Sequence, residues 1–397
     1  MIYGLRYAQK RLNRMTTISN IVDALAAPYT VWRTLRGIEP EMQGARPRFV
    51  AGNASVTFRV SHNGESKILK CYTRTNPHLA AIYGEEYHQR ELCIVDIAGR
   101  RVWIDCLLTP YIEGVTLDEA LCSAKSGEEV EALASAFDTF ARELLTAERA
   151  HGDLKPENLI VTPSGEIRAI DWDAAFMPSM AGEPAPEIGT AAYQHPLRTV
   201  ALFDKHIDDY SIAFLSVFLH FAAIDNATLE HFRRYHEPLL SPREILKGRC
   251  DEWERTSEMF AQRGMAREYR LAQLLRSTSA RLFTLQSLML PTVTPTTDPT
   301  KECAPYLDHA NGYWGCRDHK GWLIEPLFDN GYEPTEGVML VELGGYMHFA
   351  DFAGRIVKSF PRGTRVKPMR EGETTAYYAD GGQEQIKAAD LLQIFDK

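Results

Sequence analysis

The residues best equipped for chemistry lie together in HGDLKPENLIVTPSGEIRAIDWD, positions 151–173. Two short apolar runs, 159–161 and 167–170, flank Pro163-Ser164-Gly165. Apolar runs on either side of such a turn read as a β-hairpin. In a hairpin the start of the first strand and the end of the second lie at the same end. Asn158 is therefore expected beside Asp171, with Asp153 on the loop just before them. Two oxygen-bearing side chains meeting at one strand end suit Mg²⁺. A nearby carboxylate, Asp153, can accept a proton from an incoming hydroxyl. Lys155, two residues on, can neutralise phosphate charge.

These residues need elements to position them. Residues 1–45 read as a helical extension, with Ile18, Ile21, Val22 and Leu25 at helix spacing and Pro28 as the stop. Residues 46–113 read as strands. Val56, Phe58 and Val60 alternate, Asn63-Gly64 follows, and Ile68, Lys70 and Tyr72 share a face of the next strand. Asn-Gly between alternating runs predicts a tight hairpin. Residues 114–290 read mostly as helix, with Val130, Leu133, Phe137, Phe140 and Leu144 on one face of a helix starting at Ser126. Pro291, Pro295 and Pro299 mark a stiff polar linker at 291–302. Residues 303–397 form a last, separate region.

Composition narrows the function classes. The 397 residues are 45% hydrophobic and 24% charged, which fits a soluble globular protein and excludes disorder as the main state. Lys plus Arg is 44 against 53 Asp plus Glu, a net charge of -9 that argues against nucleic acid as a partner. The seven cysteines include no C-x-x-C pair, and their odd, scattered count suits a reducing cytoplasm. Arg6, Lys10, Arg11 and Arg14 have no apolar core behind them, so no secretory signal is expected. Met15 is an alternative start. The most apolar run, 211–224, is too short to span a bilayer and reads as a buried helix.

Asp153-Leu154-Lys155-Pro156-Glu157-Asn158 resembles the catalytic loop of the protein kinase family. The resemblance implies an α+β, bilobal kinase-like fold with a β-rich N-lobe and a helical C-lobe, using ATP and Mg²⁺. It implies Asp153 as catalytic base, Lys155 near the transferred phosphate, and Asn158 and Asp171 as metal ligands. Lys70 looks like the strand lysine that holds the α- and β-phosphates. Its ion-pair partner is expected on the next helix, best as Glu91, with Glu86 as runner-up. Thr109 to Gly114 resembles the adenine-binding hinge, Pro110 offering a carbonyl and Ile112 an N–H. GTAAYQHP at 189–196 resembles the end of an activation segment, and Asp208 the buried Asp that braces the loop.

The departures carry information. The phosphate-covering stretch AGNASVTFRV has Gly52 alone, where the family has three glycines. Gly152 stands in place of Arg, which points away from activation by loop phosphorylation. Asp173 replaces a Gly, and Leu197 a Glu. Three readings follow: a bacterial protein Ser/Thr kinase, favoured by Lys155; a kinase for a small molecule or glycan; and a pseudokinase scaffold.

The C-terminal region carries a weak repeat. Tyr313 to Gly321 is followed about 33 residues later by Tyr346 to Gly354, with a worn third copy at Tyr377 to Gly382. It resembles the bacterial WG repeat through Trp314, Gly315, Gly321, Pro326, Phe328, Asp329, Glu336 and Gly337. That implies stacked β-hairpins and a protein or cell-envelope partner. Cys303 and Cys316 near Asp308, His309 and His319 match no metal spacing and are expected in solvated loops. His231, His236 and Arg233-Arg234 are expected on a solvated helix face, and Trp172 is expected to pack between the lobes.

Overall fold

The computed structural model describes residues 16–27, 30–52, 54–290, 293, 296, 298 and 300–392. Helix α1 (Ile18–Ala26) starts at Thr17, whose side chain and that of Asn20 cap each other's backbone N–H. The strands after it are β1 (Val31–Trp32), β2 (Ile38–Pro40), β3 (Met42–Gln43), β4 (Arg46–Pro47), β5 (Phe49–Ala51), β6 (Ser55–His62) and β7 (Glu65–Tyr72). After helix α2 (Leu79–Tyr83) come β8 (Tyr87–Val95) and β9 (Arg101–Pro110). Seven of these strands form one antiparallel sheet in the order β1-β8-β9-β7-β6-β2, with β5 also on β6. The β6–β7 turn has Asn63 at φ 53° and Gly64 at φ 81°. Two successive positive φ values match the right-handed twist of the strands.

One face of this sheet is apolar and lies under α1. Ile21, Val22 and Leu25 pack on Val56, Phe58, Leu69, Cys71 and Cys106. The other face carries Thr57, Ile68, Lys70 and Leu107 into a cleft. The expected helical extension over 1–45 is thus corrected. The helix ends at Ala26, and β1 and β2 join the sheet through Val31↔Cys93 and Ile38↔His62. Strands of two or three residues are too short to show a period of two. Residues 1–15 and Pro28 lie outside the described residues.

The middle of the chain is helical. It contains β10 (Val115–Thr116), α3 (Leu117–Ser123), α4 (Gly127–Thr146), and the hairpin β11 (Leu159–Val161) and β12 (Ile167–Ala169). It continues with α5 (Asp209–Ile224), α6 (Asn226–Tyr235), α7 (Pro242–Leu246), α8 (Asp251–Arg263), α9 (Ala266–Leu274) and α10 (Leu285–Met289). Ser126 caps α4, which buries Val130, Phe137 and Leu144, while Leu133 and Phe140 of the expected face are only partly buried against the same core. Helix α5 is buried from Asp209 to Ala222, because core surrounds it on all sides. Among the described residues no single helix is long and apolar enough to cross a membrane.

The last region is antiparallel strands: β13 (Ala304–Asp308), β14 (Tyr313–Arg317), β15 (Trp322–Phe328), β16 (Asn330–Gly331), β17 (Val338–Leu343), β18 (Tyr346–Asp351), β19 (Ile356–Ser359), β20 (Glu373–Tyr377) and β21 (Gln383–Lys387), then α11 (Ala388–Leu392). The three expected repeat copies each make a hairpin. Asp318 accepts from Lys320 N and Gly321 N, Asp351 from Ala353 N and Arg355 N, and Asp380 from Gly382 N. An Asp carboxylate that bonds the backbone two residues on is a turn-former.

This region is continuous with the helices rather than set apart. Ile324, Leu327, Phe328, Met339, Val341 and Phe352 share one buried cluster with Phe260, Leu271, Leu275 and Met289. Arg270, 5% exposed, donates to Leu327 O and Asp329 and lies 3.7 Å from the centroid of the Tyr313 ring. The stretch expected as a stiff polar linker at 291–302 makes contacts of its own with the C-terminal strands. Val293 bridges to Trp322, and Thr296 N donates to Phe352 O. Pro291, Pro295 and Pro299 lie outside the described residues.

One buried polar cluster makes the helical core sensitive to pH. His220 of α5 meets Asp138 of α4 at 3.2 Å and Glu131 at 3.0 Å, while Ser216 donates to Asp138. Burial alone would lower the imidazole, but its bonds to Asp138 and Glu131 raise it from 6.5 to about 10. A raised folded-state value stabilises fully below the unfolded value and is lost as pH rises through the folded one. Urea midpoints should therefore fall between pH 6.5 and about 10 in the wild type. His220→Gln should flatten that slope; a slope unchanged in the variant would place the pH dependence elsewhere.

Candidate functional site

The cleft between the sheet and the helices holds about 900 Å³. Its walls include Ile68, Lys70, Leu107, Ile112, Asn158, Ile160, Asp171 and Trp172. These come from β7, β9, the segment after β9, and the β11–β12 hairpin. The hairpin pairs Leu159 with Ala169, and Ile170 N donates to Asn158 O. That register places Asn158 and Asp171 at one end, as the sequence predicts.

Lys70 is the charge at the centre. It is 9% exposed, and its ammonium donates to Asp171 Oδ1 at 2.5 Å and to Asp173 Oδ2 at 2.7 Å. Burial alone would push this ammonium down, but the two carboxylates outweigh it and hold it above its ordinary value. Asp173 is itself held. Tyr72 and Tyr83 donate their hydroxyls to its Oδ1 at 3.0 and 2.8 Å, and Asn76 donates to its carbonyl. Burial, then the Asp173 charge, raises both phenols, so they remain donors.

The expected partner of Lys70 is therefore corrected. Glu91 lies on strand β8, not on a helix. It accepts from Thr34 N, Thr34 Oγ1 and Leu35 N, each at 2.7 Å, and so anchors the chain after β1. The only α-helix between β7 and β8 is the five-residue α2, followed by a 3-10 turn at Gly84–Glu86. Glu86, in the turn after it, lines the cleft but makes no bond to Lys70. Asp173 supplies the second carboxylate instead. Its place one residue beyond Trp172 was a signal available in the sequence.

Asp153 is oriented from two sides. Thr190 N donates to Oδ1 at 2.6 Å, and Asn158 Nδ2 donates to Oδ2 at 3.3 Å. Lys155 stands 3.6 Å from Oδ2. Asn158 Nδ2 also donates to Asp153 O, which leaves Asn158 Oδ1 for another partner. Asp171 has φ 61°, a left-handed conformation that Asp tolerates better than most residues. Glu187 completes the acidic group. Burial, then Asp153, Asp171 and Asp173, raises its carboxyl. The donors are all oxygen and the surplus charge is negative, which fits a hard divalent cation such as Mg²⁺.

The loop backbone is fixed from below. Asp208, at the start of α5, is 2% exposed and accepts from His151 N and from Gly152 N, the latter at 2.8 Å. Burial raises its carboxyl, while these N–H bonds oppose the shift. His151 donates from Nε2 to Ile170 O at 2.8 Å and accepts from Asp153 N at Nδ1. Gly152 has φ +84°, and a Cβ there would stand 2.2 Å from Ala174 O. No side chain fits at this position. A guanidinium still reaches the loop from another segment. Arg198 donates to Gly152 O at 3.0 Å and to Gln194. Nothing in the sequence pattern singled out Arg198.

The remaining expected residues fall as follows. Gly52 sits in the β5–β6 turn, where its N donates to Ser55 O at 2.9 Å. Asn53 lies outside the described residues. Pro110 and Ile112 both line the cleft, and Ile112 N–H has no protein partner among the described residues. Trp172 packs between His151 and Arg149, with ring centroids 4.8 Å apart for the first and the guanidinium 4.6 Å from the ring for the second. His195 bonds Ser277 O through Nε2 at 2.9 Å. His236 is not merely solvated: its Nδ1 meets Asp118 at 2.9 Å.

No family model matches the chain, and no curated protein matches its sequence.

The Gly152 geometry sets a test. Gly152→Ala should destabilise by roughly 2–4 kcal/mol, combining left-handed strain with overpacking against Ala174. Urea unfolding reads it, and a loss under about 0.5 kcal/mol would mean the loop yields.

Proposed function

We propose that the chain is an ATP- and Mg²⁺-dependent phosphotransferase of the protein kinase type, acting on a Ser or Thr hydroxyl. The reading rests on one observation. Lys70 is bonded to Asp171 across the cleft, and Asn158, which lines the same wall as Asp171, is bonded to Asp153. In this reading the sheet and the helical region are the two lobes of a kinase-like fold, and the cleft takes the nucleotide. Pro110 O and Ile112 N–H face adenine, with Ile68, Leu107 and Ile160 as its apolar walls.

The chain's own groups then divide the work. Lys70 aligns the α- and β-phosphates once Asp171 turns to the cation. Asn158 Oδ1 and Asp171 would hold Mg²⁺, which supplies charge neutralisation on the phosphates. Asp153, fixed by Thr190 N and Asn158, orients the substrate hydroxyl and takes its proton. Lys155 offsets charge on the moving phosphoryl group. The C-terminal hairpins are read as a WG-like interaction module.

A nucleotide-binding scaffold is the second reading. It is favoured by Lys70 being shared between two carboxylates and by Gly52 standing alone in its loop.

Melting temperature with and without Mg·ATP separates these readings. At 100 times its dissociation constant the nucleotide should add about 2.7 kcal/mol. Lys70→Ala should lose the shift, and Asp171→Ala should lose its Mg²⁺ dependence. Asp153→Asn should keep the shift but lose turnover by about 10²–10⁴-fold, measured as phosphate transfer to a Ser/Thr peptide mixture. A shift with no turnover in the wild type favours the scaffold. No shift at millimolar ATP sinks both.

A further inference from the structure

Two cysteines outside the cleft stand closer than contact allows. Cys303 Sγ and Cys316 Sγ are 2.7 Å apart. The chain supplies its own scale in a second pair. Cys71 and Cys106 face each other across β7 and β9 with sulfurs 3.7 Å apart, and both are fully buried. The Cys303 pair is about an ångström closer, against about 2.05 Å for a covalent S–S bond. Cys303 is partly exposed, whereas Cys316 is buried in the shared core. The expectation that these two occupy solvated loops is thereby corrected for Cys316.

The backbone explains the approach. Pro305 pairs with Cys316 and Ala304 with Arg317, so Cys303 is the residue just before the edge strand β13. Lys301 meets Asp318 at 2.9 Å and ties the same two segments together. Among the described residues no third His, Cys, Asp or Glu donor joins the pair at metal-ligand range. A thiolate metal site needs three or four ligands, and this pair alone does not make one.

We propose that Cys303 and Cys316 are an oxidisable dithiol, closed to a disulfide by a hydroperoxide. Cys303 is the attacking sulfur. It is the accessible one, and a hydrogen bond from Cys316 holds its thiol below the ordinary value against burial and the nearby Asp318 and Glu333 charges. Its thiolate forms an S–O bond with peroxide as the O–O bond breaks, and water leaves after protonation. Cys316 then attacks the sulfenic sulfur. The S–S bond forms, the S–O bond breaks, and a second water carries away the thiol proton. Peroxide is reduced by two electrons and the two thiols are oxidised. The product closes the loop from 303 to 316 and pins β13 to β14. Cys71 and Cys106 stay reduced because no peroxide reaches them.

The test uses the full chain. Wild type is treated with one equivalent of hydrogen peroxide, and the remaining thiols are alkylated in denaturant and weighed. The expected result is five alkylated cysteines of seven and one cross-linked peptide pair joining Cys303 to Cys316, lighter by two hydrogens. Cys316→Ser should leave a sulfenic acid at Cys303 that dimedone traps, and Cys303→Ser should leave Cys316 as a thiol. Seven alkylated cysteines, or a bridge between any other pair, would each overturn the proposal. None of these readouts depends on nucleotide binding, so the result stands apart from the kinase reading.

Discussion

A lysine ammonium with 9% exposure is tolerable only beside a carboxylate, and Lys70 has two. Both come from the far side of the cleft, about a hundred residues further along the chain. The sheet and the β11–β12 hairpin are thereby held in one register. Tyr72, Tyr83 and Asn76 extend the hold, since each bonds Asp173 from the sheet side. The burial of one cation thus explains why a loop with an Asp in left-handed backbone stays where it is. It also explains the two tyrosines: a carboxylate shared with a buried lysine still has lone pairs to satisfy.

Irregular backbone around the cleft is held by few anchors, each buried. Asp208 satisfies two loop N–H groups from the start of the most apolar helix. His151 fixes its own tautomer by donating to Ile170 O, and so can accept from Asp153 N. Gly189 lies over the loop with room for no Cβ, since Gly152 O is 2.6 Å from that position. Close backbone packing of this kind replaces side-chain pairing and keeps the loop in a fixed shape.

Much of this was legible in the residues. The Asn63-Gly64 hairpin, the cap at Ser126, the buried α5 and the meeting of Asn158 with Asp171 all follow from local rules of turn chemistry and periodicity. The three C-terminal Asp turns were readable for the same reason. What escaped was non-local or too short. Glu91 has the right chemistry at the wrong place, because the expected helix became strand β8 and its carboxylate turned to Thr34. β1 and β2 gain their identity only from the sheet they join. Arg198 and the tyrosine clamp on Asp173 exist only once distant segments meet.

The core shared by α8, α9 and the C-terminal hairpins bears on how the chain is made. Phe260, Leu271 and Met289 emerge from the ribosome well before Leu327, Val341 and Phe352, the residues that cover them. At about 5–20 residues per second, a gap of roughly 60 residues leaves that apolar surface open for roughly 3–12 s. During that interval the nascent helices present a face suited to a chaperone. Arg270, waiting for Asp329 and the Tyr313 ring, keeps a charge in the middle of that face and opposes premature self-association.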